Sequence, residues 1–266
     1  MRSRPSAWRA LSPAAPAVLF VVGAFVWPMA RLCALAFSRA NEPQPGIARL
    51  FADHYDRRAL FDSIALSLVI ASLSVVVCLP AALALARGRF VGRALLRGLF
   101  AVPLSLSGVV VGFLAVAMLG NAGALPSLLH ARWLAGSAFG LGGLFVSYLY
   151  FEIPRATLTM EASLAAVDDG LLEAARSLGA RPWQVARFVF WPLCAPAMRA
   201  AFGVTFAASL GSFGVALILA ARIPLLPVEL YRSLTGTLDD SLAAAMALVL
   251  ALVAVAVLAL ARGSRG

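Results

Sequence analysis

Six apolar segments, each 21 to 24 residues long, constrain this chain more than any other feature of its sequence. A helix needs about 20 mostly apolar residues to cross the hydrocarbon core of a bilayer. Only helices and closed barrels satisfy their backbone polar groups there. We therefore predict an all-α membrane protein, a polytopic bundle of six transmembrane helices. The spans lie at about residues 14–37, 63–86, 99–119, 139–159, 198–221 and 241–261.

The composition agrees with a membrane protein and leaves little room for a separate soluble domain. Of the 266 residues, 62% are hydrophobic and 13% are charged, whereas soluble domains average about 45–50% and about 25%. The longest stretch between two spans, residues 160–197, has 38 residues, and domains have at least about 50. We therefore expect residues 1–266 to form a single transmembrane domain.

The arginines are distributed unequally between the two sides of the predicted bundle. If the spans cross in turn, fourteen arginines and four acidic residues fall on one side, and eight arginines and seven acidic residues fall on the other. Loops rich in basic residues stay in the cytoplasm. We expect both termini and residues 160–197 on the cytoplasmic side of the membrane. This placement explains the net charge of +10 without nucleic acid as a partner.

Several chemistries are excluded by the residues that the chain lacks or scatters. All 22 basic residues are arginine, so neither a P-loop lysine nor a Schiff-base lysine is available. The cysteines (Cys33, Cys78 and Cys194) and the two histidines are too far apart in sequence to suggest a metal site. We therefore predict no enzyme activity, no catalytic residue, no bound metal and no cofactor. Any ATP-driven work would have to be powered by another polypeptide. The alternative is a stand-alone secondary carrier or channel.

The predicted cytoplasmic segment, residues 160–197, is expected to form a helix, a tight turn and a second helix. One of the aspartates at 168–169 can cap a helix over residues 170–178. Gly179 follows this helix, at the position where a glycine in the left-handed conformation commonly ends a helix. The second helix begins at Pro182, and Pro192 is expected to end it.

This segment also presents an apolar face in a region expected outside the membrane. Leucines 171, 172 and 178 share one face of the first helix, and Trp183 adds a large side chain near the turn. An exposed apolar face can dock another protein. It can equally lie in the membrane interface or on the chain's own bundle, and the pattern alone leaves both readings open.

A specific resemblance rests on the spacing within this segment. Glu173-Ala174-Ala175, three residues, Gly179, nine residues and then Val189-Phe190-Trp191-Pro192 resemble the EAA loop of permease subunits of binding-protein-dependent ABC importers. That pattern is E-A-A, three residues, G, nine residues and I-x-L-P. Valine and tryptophan here stand where the pattern has isoleucine and leucine.

The resemblance extends to the six-span layout and to the last two spans. The segment 210–215 and the segment 226–231 are similar to the group of permeases that import sulfate, molybdate, polyamines, thiamine or ferric iron. On this resemblance alone, polyamine, thiamine or ferric iron is the preferred solute. Sulfate, molybdate and aminophosphonate remain the alternatives.

The resemblance implies a location in a bacterial inner membrane and a division of labour between subunits. Two ATP-binding cassette subunits would bind ATP, a second permease subunit (the same or a related chain) would complete the pore, and a periplasmic solute-binding protein would deliver the solute. The EAA loop would couple this chain to the ATPase. Glu173 would make a polar contact, Ala174 and Ala175 would fit a cleft, and Gly179 would permit the turn. The flanking residues implied in the same contact are Arg176, Arg181, Trp183 and Pro192.

Candidate residues of the translocation path are few. They are Asn121 at the outer end of the third span and Ser209, Ser212 and Phe213 in the fifth. Serines in membrane helices often bond to their own backbone or mediate helix packing, and that reading is favoured here. Glu152 and Arg155, three residues apart on the fourth span, are expected to pair with each other in a structural or gating role.

Overall fold

The computed structural model of the chain describes residues 15–39, 43–88, 90–130, 135–166, 170–220 and 223–263. No strand occurs in these ranges, and the predicted all-α fold is confirmed. Three π-helical turns, Val22–Val26, Val185–Phe190 and Ser233–Thr237, and one 3₁₀ turn, Ser137–Phe139, accompany the α-helices. Numbered in chain order, the α-helices are α1 (Ala15–Val21), α2 (Trp27–Ala36), α3 (Gly46–Ala52), α4 (His54–Arg87), α5 (Arg93–Ser105), α6 (Gly108–Leu119), α7 (Ala124–Leu128), α8 (Leu141–Leu164), α9 (Gly170–Ser177), α10 (Pro182–Gln184), α11 (Trp191–Leu210), α12 (Phe213–Leu219), α13 (Leu226–Arg232) and α14 (Asp240–Gly263).

Five helical stretches are long and apolar enough to cross a membrane: Leu19–Ala36, His54–Arg87, Gly108–Leu128, Pro182–Leu210 and Asp240–Gly263. The predicted fourth span corresponds to α8, which has 24 residues and a length of about 36 Å. Glu152 and Arg155 make α8 less apolar than the other spans. The predicted helical membrane bundle is thus confirmed in kind.

Two of the predicted spans are interrupted, which corrects their description as single helices. The third is divided at Leu106 and Ser107, between α5 and α6, where Leu106 has the extended dihedrals φ −84° and ψ 146°. The fifth is divided at Gly211 and Ser212, between α11 and α12. Apolar length does not reveal such a break, because the flanking residues remain apolar across it.

By contacts, the chain divides into two compact units: residues 1–53 with 230–249, and residues 54–229 with 250–266. Helix α14 contributes residues to both. The expected single domain stays a prediction. In the first unit, Ala36 packs with Ala244, Ala245 and Leu248. The Ser241 hydroxyl accepts a hydrogen bond from the Gly46 N–H at 3.0 Å and donates to the Ser38 carbonyl at 3.0 Å.

A bidentate ion pair joins α3 to the start of α14 within the first unit. The Arg49 guanidinium donates to both carboxylate oxygens of Asp239, at 2.5 and 2.9 Å. Asp239 also accepts the Leu242 N–H at 3.0 Å and so caps α14. These hydrogen bonds, chiefly the one from Arg49, lower the pKa of Asp239.

The lowered pKa of Asp239 predicts an acid-dependent loss of stability. A carboxylate with a depressed folded-state pKa stabilises the fold above the ordinary aspartate value of about 3.9, and this contribution is lost as pH falls through the folded-state pKa. Between about pH 5 and about pH 3 we expect the wild type to lose about 1 kcal/mol more than Asp239→Asn, measured by thermal unfolding in detergent. Asp240→Asn, at the exposed neighbour, should keep the wild-type pH dependence. An identical profile for wild type and Asp239→Asn would contradict the prediction.

The second unit has its core among α4, α8 and α11. Small residues, including Ala82, Ala156 and Ala201, are buried where these helices meet, as is common where membrane helices approach closely. The buried hydroxyls of Ser147 and Thr157 donate to carbonyls one turn back on α8, at 2.7 and 2.8 Å. Such local bonds let polar side chains sit in an apolar core.

Helices α6 and α12, which follow the two interruptions, touch through backbone. A Cβ at Gly108 would lie 3.3 Å from the Cα of Gly214. A Cβ at Gly112 would lie 2.9 Å from the Cβ of Ile218. Glycine at these positions therefore permits the close approach of the two short helices.

Replacing Gly214 with alanine should separate α6 from α12. The added methyl would lie 2.6 Å from the Val109 nitrogen, and a backbone atom in a helix cannot move aside alone. We expect a loss of about 1–3 kcal/mol, seen as a lower thermal midpoint in detergent. Gly142→Ala is the matched control, because its Cβ meets no atom within 4 Å. Equal midpoints for the two variants would refute the close approach.

Candidate functional site

The segment with EAA spacing folds as helix α9, a tight turn and helix α10. The Leu178 N–H donates to the Ala174 carbonyl at 3.0 Å, and the Ala180 N–H donates to the Ala175 carbonyl at 3.2 Å. Gly179 has φ +79°, the left-handed conformation that closes a helix in this way. The predicted helix and glycine turn are confirmed.

The second helix does not end where the sequence predicted. Arg181 precedes α10, and its N–H donates to the Gln184 side chain at 2.8 Å. From Pro182 the chain stays helical to Leu210, so the prediction that Pro192 ends the helix is wrong. In the π turn before Pro192, the Trp191 N–H bonds to Ala186, five residues back. This register shift places Pro192 in the first turn of α11, where the missing N–H is tolerated.

The surface of this segment is largely open. Leu178 is 88% exposed and Trp183 is 56% exposed. Ala174, Gly179, Arg181 and Pro192 are exposed as well, and Ala175 is half-buried. The predictions that fall on residues 168–169, and on the side chains of Glu173 and Arg176, lie outside the described residues.

A second region of interest is a cavity of about 290 Å³ at the two helix interruptions. Polar groups contribute much of its lining, which is unusual in a bundle this apolar. It is bordered by residues from the ends of α5 and α11, the starts of α6 and α12, and the middle of α8: Leu104, Leu106, Gly108, Phe151, Glu152, Arg155, Ala208, Ser212, Phe213 and Gly214.

The predicted pairing of Glu152 with Arg155 is present in this cavity. Arg155 Nη1 donates to Glu152 Oε1. The Glu152 side chain is only 2% exposed, and the Arg155 side chain is 28% exposed. Glu152 is the twelfth of the 24 residues of α8 and therefore lies in the middle of this helix.

The four predicted path residues do not come together as a group. Ser212 and Phe213 border the cavity with Glu152. Ser209 is buried, and its hydroxyl donates to the Phe206 carbonyl on its own helix at 3.4 Å. Asn121 is exposed and borders a different cavity, of about 390 Å³, with Phe139 and Ile223 among its lining residues.

Two polar contacts in this unit were not foreseen from the sequence. The buried Tyr148 hydroxyl donates to the Ser212 carbonyl at 2.9 Å, at the interruption after α11. At the start of α5, Arg97 Nε donates to the buried Glu161 carboxylate at 3.0 Å, and this hydrogen bond raises the pKa of Arg97. The paired residues are 64 positions apart in each case, so no local motif announces them.

The described residues contain no group of three or more His, Cys, Asp or Glu placed to hold a metal ion. The candidate sites are therefore the exposed helix–turn–helix at Gly179 and the small polar cavity beside Glu152.

Comparison with known proteins identifies the family. Residues 77–263 match the family model described as the binding-protein-dependent transport system inner membrane component. The chain belongs to this family. The match includes the EAA-like segment and both helix interruptions, and the protein is a membrane-spanning permease.

Curated relatives are permeases of several importers. The molybdenum transport system permease protein ModB of Escherichia coli (strain K12) is 32% identical over 62% of this chain and 73% of its own length. The sulfate transport system permease protein CysW of Synechocystis is 29% identical over 78% of this chain and 74% of its own. The thiamine transport system permease protein ThiP of Salmonella typhimurium is 29% identical over 84% of this chain, which spans 42% of that relative.

Solved structures support the fold. A chain of the bacterial alginate ABC transporter, crystallised in complex with an alginate pentasaccharide-bound periplasmic protein, superposes with a TM-score of 0.74 at 18% identity and covers 98% of both chains. A chain of the inward-facing MetNI methionine ABC transporter superposes with a TM-score of 0.60 at 16% identity, over 78% of the present chain and 93% of the MetNI chain.

The contact between Tyr148 and Ser212 predicts a measurable stability effect. Tyr148→Phe removes the donor to a carbonyl at a helix interruption, where α-helical bonding is already incomplete. We expect a loss of about 1–3 kcal/mol, seen as a lower thermal midpoint. Tyr150→Phe, at a position 37% exposed, should leave the midpoint unchanged. Equal midpoints would show that the Tyr148 hydrogen bond contributes nothing.

Proposed function

We propose that this permease forms half of the translocation pore of an ATP-driven solute importer and is coupled to a cytoplasmic ATPase through α9 and the turn at Gly179. The observation that carries the proposal is an exposed helix–turn–helix with EAA spacing on the arginine-rich side of the bundle. The permease performs no chemistry itself in this scheme.

The partners follow from that role. Two ATP-binding cassette subunits bind and hydrolyse ATP, a second permease subunit completes the pore, and a periplasmic solute-binding protein delivers the solute. Closure of the ATPases draws the coupling segments together and opens the pore outward. Both termini of the permease lie in the cytoplasm, in agreement with the arginine distribution.

Docking on an ATPase is favoured over packing within the chain for a physical reason. Leu178 and Trp183 expose most of their surface, and a Cβ at Gly179 would meet no atom within 4 Å. A segment packed on its own bundle would bury these groups. Burial in the membrane interface remains the competing explanation, and the experiment below separates the two.

The relatives are named for three solutes: molybdenum, sulfate and thiamine. We retain polyamine, thiamine or ferric iron as the preferred class, with sulfate, molybdate or aminophosphonate as the alternative. A stand-alone carrier or channel would have no use for the coupling segment.

The coupling proposal is tested by co-purification with a candidate ATPase subunit. Gly179→Asn keeps the turn, because asparagine tolerates a left-handed backbone, but it places a side chain on the docking surface. Gly179→Val strains the turn by about 1–2 kcal/mol. We expect the wild type to capture the ATPase and both variants to lose at least tenfold in apparent affinity, about 1.4 kcal/mol.

Gly92→Asn is the matched control. Gly92 also has a positive φ, +94°, with open space around it, and it lies in another loop on the predicted cytoplasmic side. This variant should capture the ATPase normally. If Gly179→Asn binds as well as Gly92→Asn, the segment is not the docking surface. If the wild type captures no ATPase in detergent or nanodiscs, the importer proposal fails.

A further inference from the structure

In the buried pair of Glu152 and Arg155 on α8, one carboxylate oxygen of Glu152 has no hydrogen-bond partner among the described residues. Arg155 engages Glu152 Oε1, but Glu152 Oε2 is buried and has no hydrogen-bond partner within the described ranges. An ionised carboxylate can only accept hydrogen bonds. Leaving such an acceptor unsatisfied costs about 1–3 kcal/mol, and more when it is charged. The group that Oε2 requires is therefore a donor.

One donor near this cavity is committed elsewhere, because the Tyr148 hydroxyl donates to the Ser212 carbonyl. Besides Glu152, the polar side chains that border the cavity are those of Arg155 and Ser212. The remaining side chains of the lining are mostly apolar, such as Leu104, Leu106 and Phe151. The cavity thus has at its border an acceptor, Glu152 Oε2, that no donor of the described residues engages.

We propose that this cavity contacts the transported solute and that Glu152 Oε2 accepts a hydrogen bond from an N–H or ammonium group of a cationic solute. The inference rests on the proposed permease function. Arg155 is a positioning residue: it holds Oε1, fixes the carboxylate and balances its charge within the membrane.

The charges around the cavity favour a cation over an anion. Arg155 engages Oε1 and leaves Oε2 unengaged, and among the described residues that border the cavity Arg155 is the one basic side chain. An oxyanion bound by Arg155 and the N-terminus of α6 would lie beside a buried carboxylate and be repelled by it. A cation is attracted to Oε2 and completes its hydrogen bonding.

The sign of the local field is tested with charged thiol reagents on Ser212→Cys in a variant whose native cysteines (Cys33, Cys78 and Cys194) are alanine. The probes are a trimethylammonium-ethyl and a sulfonato-ethyl methanethiosulfonate of similar size. We expect the cationic reagent to react faster, and Glu152→Gln to reduce the cation-to-anion rate ratio by about three- to tenfold. Arg155→Gln should raise the ratio.

Solute contact is tested by protection of the same cysteine. Spermidine, which carries ammonium donors, should slow labelling when Glu152 is present and have little effect in Glu152→Gln. Molybdate should give no protection in either background. Val91→Cys, a fully exposed position between α4 and α5 and outside the cavity lining, is the control, and its rate ratio should not depend on Glu152.

Three results would overturn the inference: no reaction at Ser212→Cys with either reagent, a rate ratio indifferent to Glu152, or protection by molybdate in place of spermidine. If the cysteine-free variant does not fold, the native cysteines are kept and the labelling of the parent is subtracted. Labelling requires neither ATPase nor transport. Failure here is therefore distinguishable from failure of the coupling proposal, which co-purification measures.

Discussion

In hydrocarbon there is no water to bond a backbone N–H or C=O, and each unsatisfied group costs several kcal/mol. This constraint selects helices for the apolar segments and restricts where a helix can be interrupted. Irregular backbone is tolerated at membrane depth only where protein covers it or where it borders a cavity. The interruptions after α5 and α11 obey this restriction, because they adjoin the same cavity and the Ser212 carbonyl is bonded by Tyr148.

Much of the fold can be predicted from the lengths of the apolar segments and from the positions of glycine and proline at helix ends. The helical bundle and the turn at Gly179 could be predicted because each depends on a local signal. The two interruptions could not, since they depend on contacts between distant parts of the chain, such as the packing of α6 on α12 and the bond from Tyr148 to Ser212. The prediction that Pro192 ends the helix is wrong for a related reason. Proline is tolerated in the first turn of a helix, and the π turn that places Pro192 there has no sequence signature of its own.

The candidate sites differ in how much of them the sequence reveals. The segment with EAA spacing, residues 173–192, is contiguous in sequence, so the spacing of its residues alone predicts it. The cavity is assembled from three separate parts of the chain, and only Ser212 and Phe213 among its lining were selected as path residues beforehand. Glu152 and Arg155 were expected to pair. Their position at the middle of α8 and the unsatisfied oxygen depend on where that helix begins and ends, which hydropathy locates only within several residues.

The π turn before Pro192 also has a mechanical consequence. Because helicity persists from Pro182 to Leu210, these 29 residues form a continuous rod of about 43 Å. One end follows directly on the Gly179 turn, and the other stops at Gly211, beside the cavity. The chain stays helical between the two ends, and the π turn and Pro196 lie within this helix. A tilt of about 10° would displace one end relative to the other by about 7 Å, so movement of the end at Pro182 reaches the cavity without passing through a loop.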